Sequence, residues 1–129
     1  MTQLNRYRQK QERFVVAVPL QFHTDGFVYH KWGGEQRCKQ GDWIVDNDGD
    51  FYTVDADVFQ RTYREVRRGA YRKITPIWAE IAQDAGQVKT KEGVTQYEKG
   101  DYLVSNNEDG TDAYAMTASK FESSYELDE

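Results

Sequence analysis

Four aspartates near the middle of the chain have a spacing that could bind a cation. Asp46, Asp48, Asp50 and Asp57 fall on positions 1, 3, 5 and 12 of a calcium-loop pattern. Position 6 of such a loop needs glycine for its sharp turn, but Phe51 stands there. No helix is predicted before the segment. The spacing therefore favours a hairpin turn rich in aspartate, with a weak cation site as the alternative.

His23, His30 and Cys38 are the soft metal ligands of the chain, which has two histidines and one cysteine. Their spacing fits no common zinc motif, and nothing marks the thiol as activated. A single cysteine excludes an intramolecular disulfide and favours a reducing compartment. The sequence thus predicts no metal, no cofactor, no catalytic residue and no enzyme activity. The weaker alternative is a hydrolase that uses Asp42 or Asp101 with a histidine.

A second group of residues could bind an anion or a planar ring. The basic run Arg67, Arg68, Arg72 and Lys73 offers cations for phosphate or for an acidic partner. Trp32, beside two glycines, is predicted to be exposed, where it could stack on a ring. These five residues are the predicted ligand- or partner-binding candidates. A solvated basic linker is the alternative interpretation of the run.

The elements that position these residues follow from an internal repeat. The segment 41–47, GDWIVDN, returns 59 residues later as GDYLVSN at 100–106. Each copy is followed by a turn, an aromatic segment and a Phe-x-x-x-Tyr pair, and such retention of glycine and aromatic positions is typical of repeated architecture. In both copies glycine should supply a special backbone conformation and aspartate should cap local amides. The predicted structural positions are Gly41, Asp42, Gly100, Asp101, Phe59, Tyr63, Phe121 and Tyr125.

Short aromatic and β-branched runs between Gly- and Asp-rich turns predict a mostly β fold. The first repeat predicts a hairpin and then a short helix capped by Asp55 or Asp57. The second predicts the same elements with Thr117 or Ser119 as the cap. A helical turn is expected around 79–85. We therefore expect two tandem, pseudo-symmetric β-roll or half-barrel units, each ending in a short helix.

The predicted units cover 14–66 and 74–129, the second with an acidic C-terminus. A basic N-terminal segment, 1–13, precedes them, and a basic linker, 67–73, joins them. Units of about 60 residues are near the lower size limit for independent folding, so they would gain by sharing a core. No Pro- or Ser-rich spacer separates them, which also predicts that they pack together.

The second unit resembles a known family through three motifs. They are Thr90-Lys91-Glu92-Gly93, Lys99-Gly100-Asp101-Tyr102-Leu103-Val104 and the closing pair Phe121 and Tyr125. This pattern is similar to the PGDYG group of small domains in phage, prophage and bacterial proteins. The likeness covers 71–127 well and 14–66 more weakly, and Gln40 and Lys99 replace the proline of the motif. It implies a fold unit and a mobile-element origin, and no catalytic residues transfer with it.

Composition narrows the expected partners. The net charge of −5 disfavours nucleic acid, although the arginine-rich segments leave that partner open. No apolar run is long enough to span a membrane, and no secretory signal precedes the first strand, so we expect a soluble, cytoplasmic protein (host cytoplasm if phage-encoded). The leading hypothesis is a non-enzymatic interaction protein that presents a surface to a protein partner. The alternative is a binder of a small anionic ligand, such as a nucleotide, in the cleft between the units.

Overall fold

Alternating buried and exposed side chains, interrupted by turns rich in glycine and aspartate, keep most of this chain extended. The computed structural model describes residues 4–129. Strands make up 51% of the chain and helices 11%, which confirms the mostly β fold with short helices. The strands are β1 (Asn5–Gln9), β2 (Val15–Pro19), β3 (Phe27–Lys31), β4 (Gly34–Cys38), β5 (Trp43–Asn47), β6 (Asp50–Val54), β7 (Tyr63–Arg67), β8 (Ala70–Lys73), β9 (Ile77–Ile81), β10 (Gly86–Lys89), β11 (Val94–Tyr97), β12 (Tyr102–Ser105), β13 (Ala113–Met116) and β14 (Tyr125–Leu127). The helices are α1 (Ala56–Thr62) and α2 (Ala118–Ser124).

Two five-stranded antiparallel sheets form the framework, and they have the same strand arrangement. Sheet 1 has the order β6-β5-β2-β8-β7, and sheet 2 has the order β13-β12-β9-β1-β14. Two hairpins, β3-β4 and β10-β11, form separate two-stranded sheets. Of the helices that the structure describes, neither has the length and apolar character needed to cross a membrane.

Sheet 1 packs on α1 through a group of aromatic rings. The Phe59 ring, 1% exposed, stacks on Trp43 with centroids 4.2 Å apart and on Tyr63 at 4.4 Å. The edge of Tyr71, from β8, contacts the same ring at 5.2 Å. Burying a ring of this size contributes a few kcal/mol, so Phe59 is the centre of the first core.

Sheet 2 packs on α2 through a corresponding group. The Phe121 ring, 1% exposed, stacks on Tyr102 at 3.9 Å and on Tyr125 at 5.2 Å. The edge contact comes from Tyr7, in β1, at 4.8 Å. Tyr7 therefore has in sheet 2 the place that Tyr71 has in sheet 1.

These contacts show where the first strand of the chain lies. β1 pairs with β9 and β14 in sheet 2, while β8 pairs with β2 and β7 in sheet 1. Counted from β1 and from β8, the chain runs twice through the same order of strands and helix. Each run places its first strand in the sheet formed by the other run.

This arrangement differs from the predicted domain boundaries. The segment 67–73, predicted as a basic linker, contains the end of β7 and all of β8. The predicted N-terminal segment contains β1, and its residues 1–3 lie outside the described residues. Arg6 and Arg8 pair with Asp128 at 3.2 Å and Glu126 at 2.9 Å, so the basic start and the acidic end of the chain lie side by side.

The helices also differ in detail from the prediction. Asp55 caps α1 by accepting a hydrogen bond from the Val58 amide, and Thr117 begins α2 without a side-chain cap. Each helix is followed by a strand, because Tyr63 and Tyr125 are already extended at the helix C-terminus. The helical turn expected around 79–85 is wrong. Strand β9 forms there because both of its edges pair, with β1 and with β12.

Candidate ligand-binding cavity

A cavity of about 470 Å³ lies between the two sheets. Its walls include residues of β6 and α1 from the sheet 1 side and residues of β13 and α2 from the sheet 2 side. The hairpins add Trp32 and Gln96, whose backbone carbonyl and amide are joined by a 2.7 Å hydrogen bond. Ligand pockets have volumes of roughly 300–1,000 Å³, so the cavity has the size of a small-molecule site.

Four tyrosines give the cavity its aromatic character. Tyr52 and Tyr63 belong to sheet 1, and Tyr114 and Tyr125 hold the corresponding positions in sheet 2. Desolvation raises the pKa of Tyr52 to about 12 and raises the pKa of the other three phenols well above the ordinary value. The hydroxyls therefore remain protonated at neutral pH and can donate hydrogen bonds.

Lys73 brings a cationic side chain to the same cavity. It is the last residue of β8 and only 6% exposed. Its Nζ donates a 3.2 Å hydrogen bond to the Tyr114 hydroxyl and lies 5.7 Å from the Tyr63 ring centre. None of the ion pairs within residues 4–129 includes this ammonium group. Burial lowers the pKa of Lys73 to about 8, an effect that the charge of Asp112 only partly opposes.

The more exposed side of the cavity has a second charged group. Asp50 accepts from Lys31 at 2.8 Å and also pairs with Lys120 from α2. Partial burial disfavours ionisation of Asp50, but the two ammonium groups hold its pKa below the ordinary value. Trp32 lies beside this group, with its ring 5.9 Å from that of Tyr52 and with 37% of its surface exposed.

The predicted binding residues do not lie together in the structure. Trp32 and Lys73 line the cavity, whereas Arg67, Arg68 and Arg72 are not among its lining residues. Neighbouring residues of a strand point to opposite faces, so Arg72 points away from the cavity while Lys73 points into it. Arg67 instead lies over the Phe14 ring at 4.4 Å. The predicted basic run is therefore not a single anion site in the cavity.

The two Gly-Asp pairs make matching contacts within the fold. The Asp42 carboxylate accepts from the Lys39 amide at 2.9 Å and from the Ala56 amide, at the start of α1, at 3.1 Å. The Asp101 carboxylate accepts from the Glu98 amide at 2.9 Å. Gly41 and Gly100, with φ of 93° and 96°, supply the left-handed turns before these strands.

His23, His30 and Cys38 do not form a common site. His30 pairs with Glu35 in the β3-β4 hairpin, whereas Cys38 pairs with Phe27 at the other end. Burial, aided by the charge of Asp42, raises the pKa of the Cys38 thiol to about 11, so the thiol is protonated at neutral pH. Within residues 4–129, no three side chains of His, Cys, Asp or Glu are grouped as a metal site.

The aspartate-rich turn is a hairpin between β5 and β6, as the favoured interpretation predicted. Asp46 accepts from the Gly49 amide at 2.8 Å, which fixes the turn. The Asp50 carboxylate pairs with Lys31 and Lys120. The predicted binding residues did not include Tyr52, Tyr114, Lys31 or Lys120, and Asp50 was predicted only as part of the hairpin turn or of a weak cation site.

Comparison of the chain with protein-family models, with curated proteins and with solved structures found no match.

Replacing Lys73 should change how stability depends on pH. The unfolded lysine keeps its proton up to the ordinary pKa of 10.5, whereas the folded one releases it near 8. The unfolded state binds more protons between these values, so this group stabilises the fold as pH rises. We expect the unfolding free energy of the wild type, relative to Lys73→Met, to rise by about 2 kcal/mol between pH 7.5 and 9.5.

Urea denaturation at the two pH values measures this difference. Comparison with the variant cancels the titration of Cys38 and of the tyrosines. Lys91→Met is the matched control, because Lys91 also lines the cavity but is exposed. An equal pH slope in the wild type and Lys73→Met would contradict the expected burial of the charge.

Proposed function

We propose that this protein binds a small, partly aromatic organic molecule in the cavity between its two sheets. The observation that carries the proposal is the cavity itself: about 470 Å³, with four tyrosines and one buried ammonium group on its walls. Ligand sites are mostly apolar concavities with a few placed polar groups, which this lining matches. The proposed activity is binding.

Trp32 supports the proposal from the exposed side of the cavity. Its ring is tilted 50° from that of Tyr52 and has Lys31 Nζ 5.2 Å from its centre. A planar ligand can enter beside Trp32 and stack on its exposed face, since such stacking contributes roughly 1–3 kcal/mol.

A screen of neutral and charged ring compounds by thermal shift and by amide NMR tests this function. We expect binders to raise the unfolding temperature and to shift the amide signals of Tyr52 and Tyr114, since ligand at 100 times its Kd stabilises a protein by about 2.7 kcal/mol. Trp32→Ala should weaken Kd roughly tenfold. Phe51→Ala, a change at an exposed ring outside the cavity, should not. Shifts confined to residues outside the cavity would exclude this site.

A protein partner is the second candidate, and one surface favours it. Val16, Val18 and Phe51 lie on β2 and β6 of sheet 1 with exposures of 50%, 57% and 58%. In a binding assay, binding of such a partner should be lost in Val18→Lys and retained in Trp32→Ala. Nucleic acid is less favoured, because Arg6 and Arg8 are already paired with C-terminal carboxylates.

We also propose that the two runs of the chain descend from one duplicated module. Support comes from the equal strand orders and from the matching contacts around Phe59 and Phe121. Kinship with the PGDYG group, a phage or bacterial origin and a cytoplasmic location stay predictions.

A further inference from the structure

We infer that the cavity ligand carries a single negative charge, in the form of a carboxylate on a ring compound, and that this group pairs with Lys73. The inference rests on the proposed function and names the chemical class of its ligand. It starts from the different surroundings of the lysines that line the cavity.

Two of these lysines already have a counter-ion. Lys31 and Lys120 share the Asp50 carboxylate. Lys73 is more buried than either, yet it has no ion pair within residues 4–129. The charge of Asp112 offsets only part of the cost of burying Lys73 and forms no ion pair with it, so an anion that enters the cavity would offset more of that cost.

Hydrogen-bond capacity points to the same kind of group. An ammonium group has three donors, and the Tyr114 hydroxyl accepts only one of them at 3.2 Å. Tyr52, Tyr63 and Tyr125 line the same cavity, and their hydroxyls remain protonated. A carboxylate can accept from the ammonium group and from phenols at once, in charge-assisted hydrogen bonds.

The remaining walls define the rest of the ligand. Tyrosine rings, Val15, Val58 and Met116 offer aromatic and aliphatic surface for a ring. A phosphate dianion fits less well, because Arg67, Arg68 and Arg72 do not reach the cavity. Lys91 also lines the cavity without an ion pair within residues 4–129, but it is exposed to solvent, so Lys73 is the buried ammonium group available to balance a negative charge. We therefore expect a singly charged carboxylate, rather than a nucleotide phosphate, beside Lys73.

Matched pairs of probes test the inference: benzoate with benzamide, and indole-3-acetate with indole-3-acetamide. Each pair has nearly the same shape and differs in charge. By NMR titration at pH 7, we expect the carboxylate of at least one pair to bind the wild type about tenfold or more tightly than its amide. The preference should disappear in Lys73→Met and persist in Lys99→Met, a change at an exposed lysine outside the cavity.

A second measurement uses the wild type alone and so does not depend on folding of the variant. Pairing with a carboxylate should raise the pKa of Lys73 from its value of about 8. Calorimetry at pH 8 in two buffers of different ionisation enthalpy should therefore show uptake of about half a proton with a carboxylate and none with its amide.

The outcomes separate the two proposals. Equal affinity of carboxylates and amides without proton uptake would overturn the inference and leave the proposed function standing. Binding of neutral ring compounds alone would likewise overturn the inference and leave the proposed function standing. If neither the probe pairs nor any compound of the wider screen binds, both proposals are wrong.

Discussion

A chain that begins at Gln11 is expected to lose its cooperative fold, although it retains both helices and all strands but one. Strand β1 lies between β9 and β14, so its removal leaves β14 without a partner and exposes one edge of β9. It also removes Tyr7 from the ring of Phe121. We expect the loss of a strand paired on both edges and of a large core side chain to remove most of the 5–15 kcal/mol that typically separates folded and unfolded domains.

A circular permutant is the control for this deletion. Its chain would start at Gln11, run to Glu129, and continue through about three glycines into residues 4–10. The Asp128 amide already donates to the Arg6 carbonyl at 3.1 Å, so the joined ends are close. We expect the permutant to unfold cooperatively within a few degrees of the wild type.

Thermal and urea denaturation followed by circular dichroism measures both proteins. Sheet 1 already has the connection that the permutant creates in sheet 2, because β7 continues directly into β8 through Arg68 and Gly69. If the shortened chain melted at the wild-type temperature, pairing of β1 within sheet 2 would be disproved.

Gly93→Ala is expected to destabilise the protein by about 3 kcal/mol or more. The two hairpins touch at this glycine, where Gln36 and Gly93 form an isolated bridge. A Cβ at Gly93 would overlap the backbone carbonyl of Glu35, and one at Gly34 would overlap that of Val94. Neither carbonyl can move away freely, because the backbones on both sides belong to hairpins.

Gly49→Ala separates this steric effect from the general effect of losing a glycine. Gly49 has φ of 90° with no atom near its missing Cβ, so alanine there should cost only about 1 kcal/mol of backbone strain. Urea denaturation of the two variants gives the comparison. Equal losses would mean that the close approach of the hairpins does not matter to the fold.

Local signals in the sequence were sufficient for the units of the fold but not for their pairing. The hairpin from β5 to β6, the cap at Asp55 and the stacking of Phe59 on Tyr63 depend on residues close in the sequence. The place of β1 depends on partners more than a hundred residues away, such as Glu126 for Arg8. One signal for this place was present in the sequence, because Tyr7-Arg8 corresponds to Tyr71-Arg72. A match of two residues is too short to establish a repeat by itself.

The alternative hypothesis was a ligand cleft between the units, and its residues were named only in part. Lys73 was grouped with Arg72 as one basic run, and the pleat of β8 sends the two side chains to opposite faces. Trp32 was identified because its position beside two glycines predicted an exposed ring. Tyr52 and Tyr114 were not among the predicted binding residues, because a sequence does not show where two packed layers leave a gap.

The placing of β1 and β8 also bears on how such a protein could arise. In a chain with one run of strands, the first strand would extend away from the chain's own sheet, and a second copy could fill the vacant place by a reciprocal swap in a dimer. Joining two copies end to end makes this swap internal. The missing strand is then present at the millimolar effective concentration of a tethered segment, so assembly no longer depends on how much protein the cell contains.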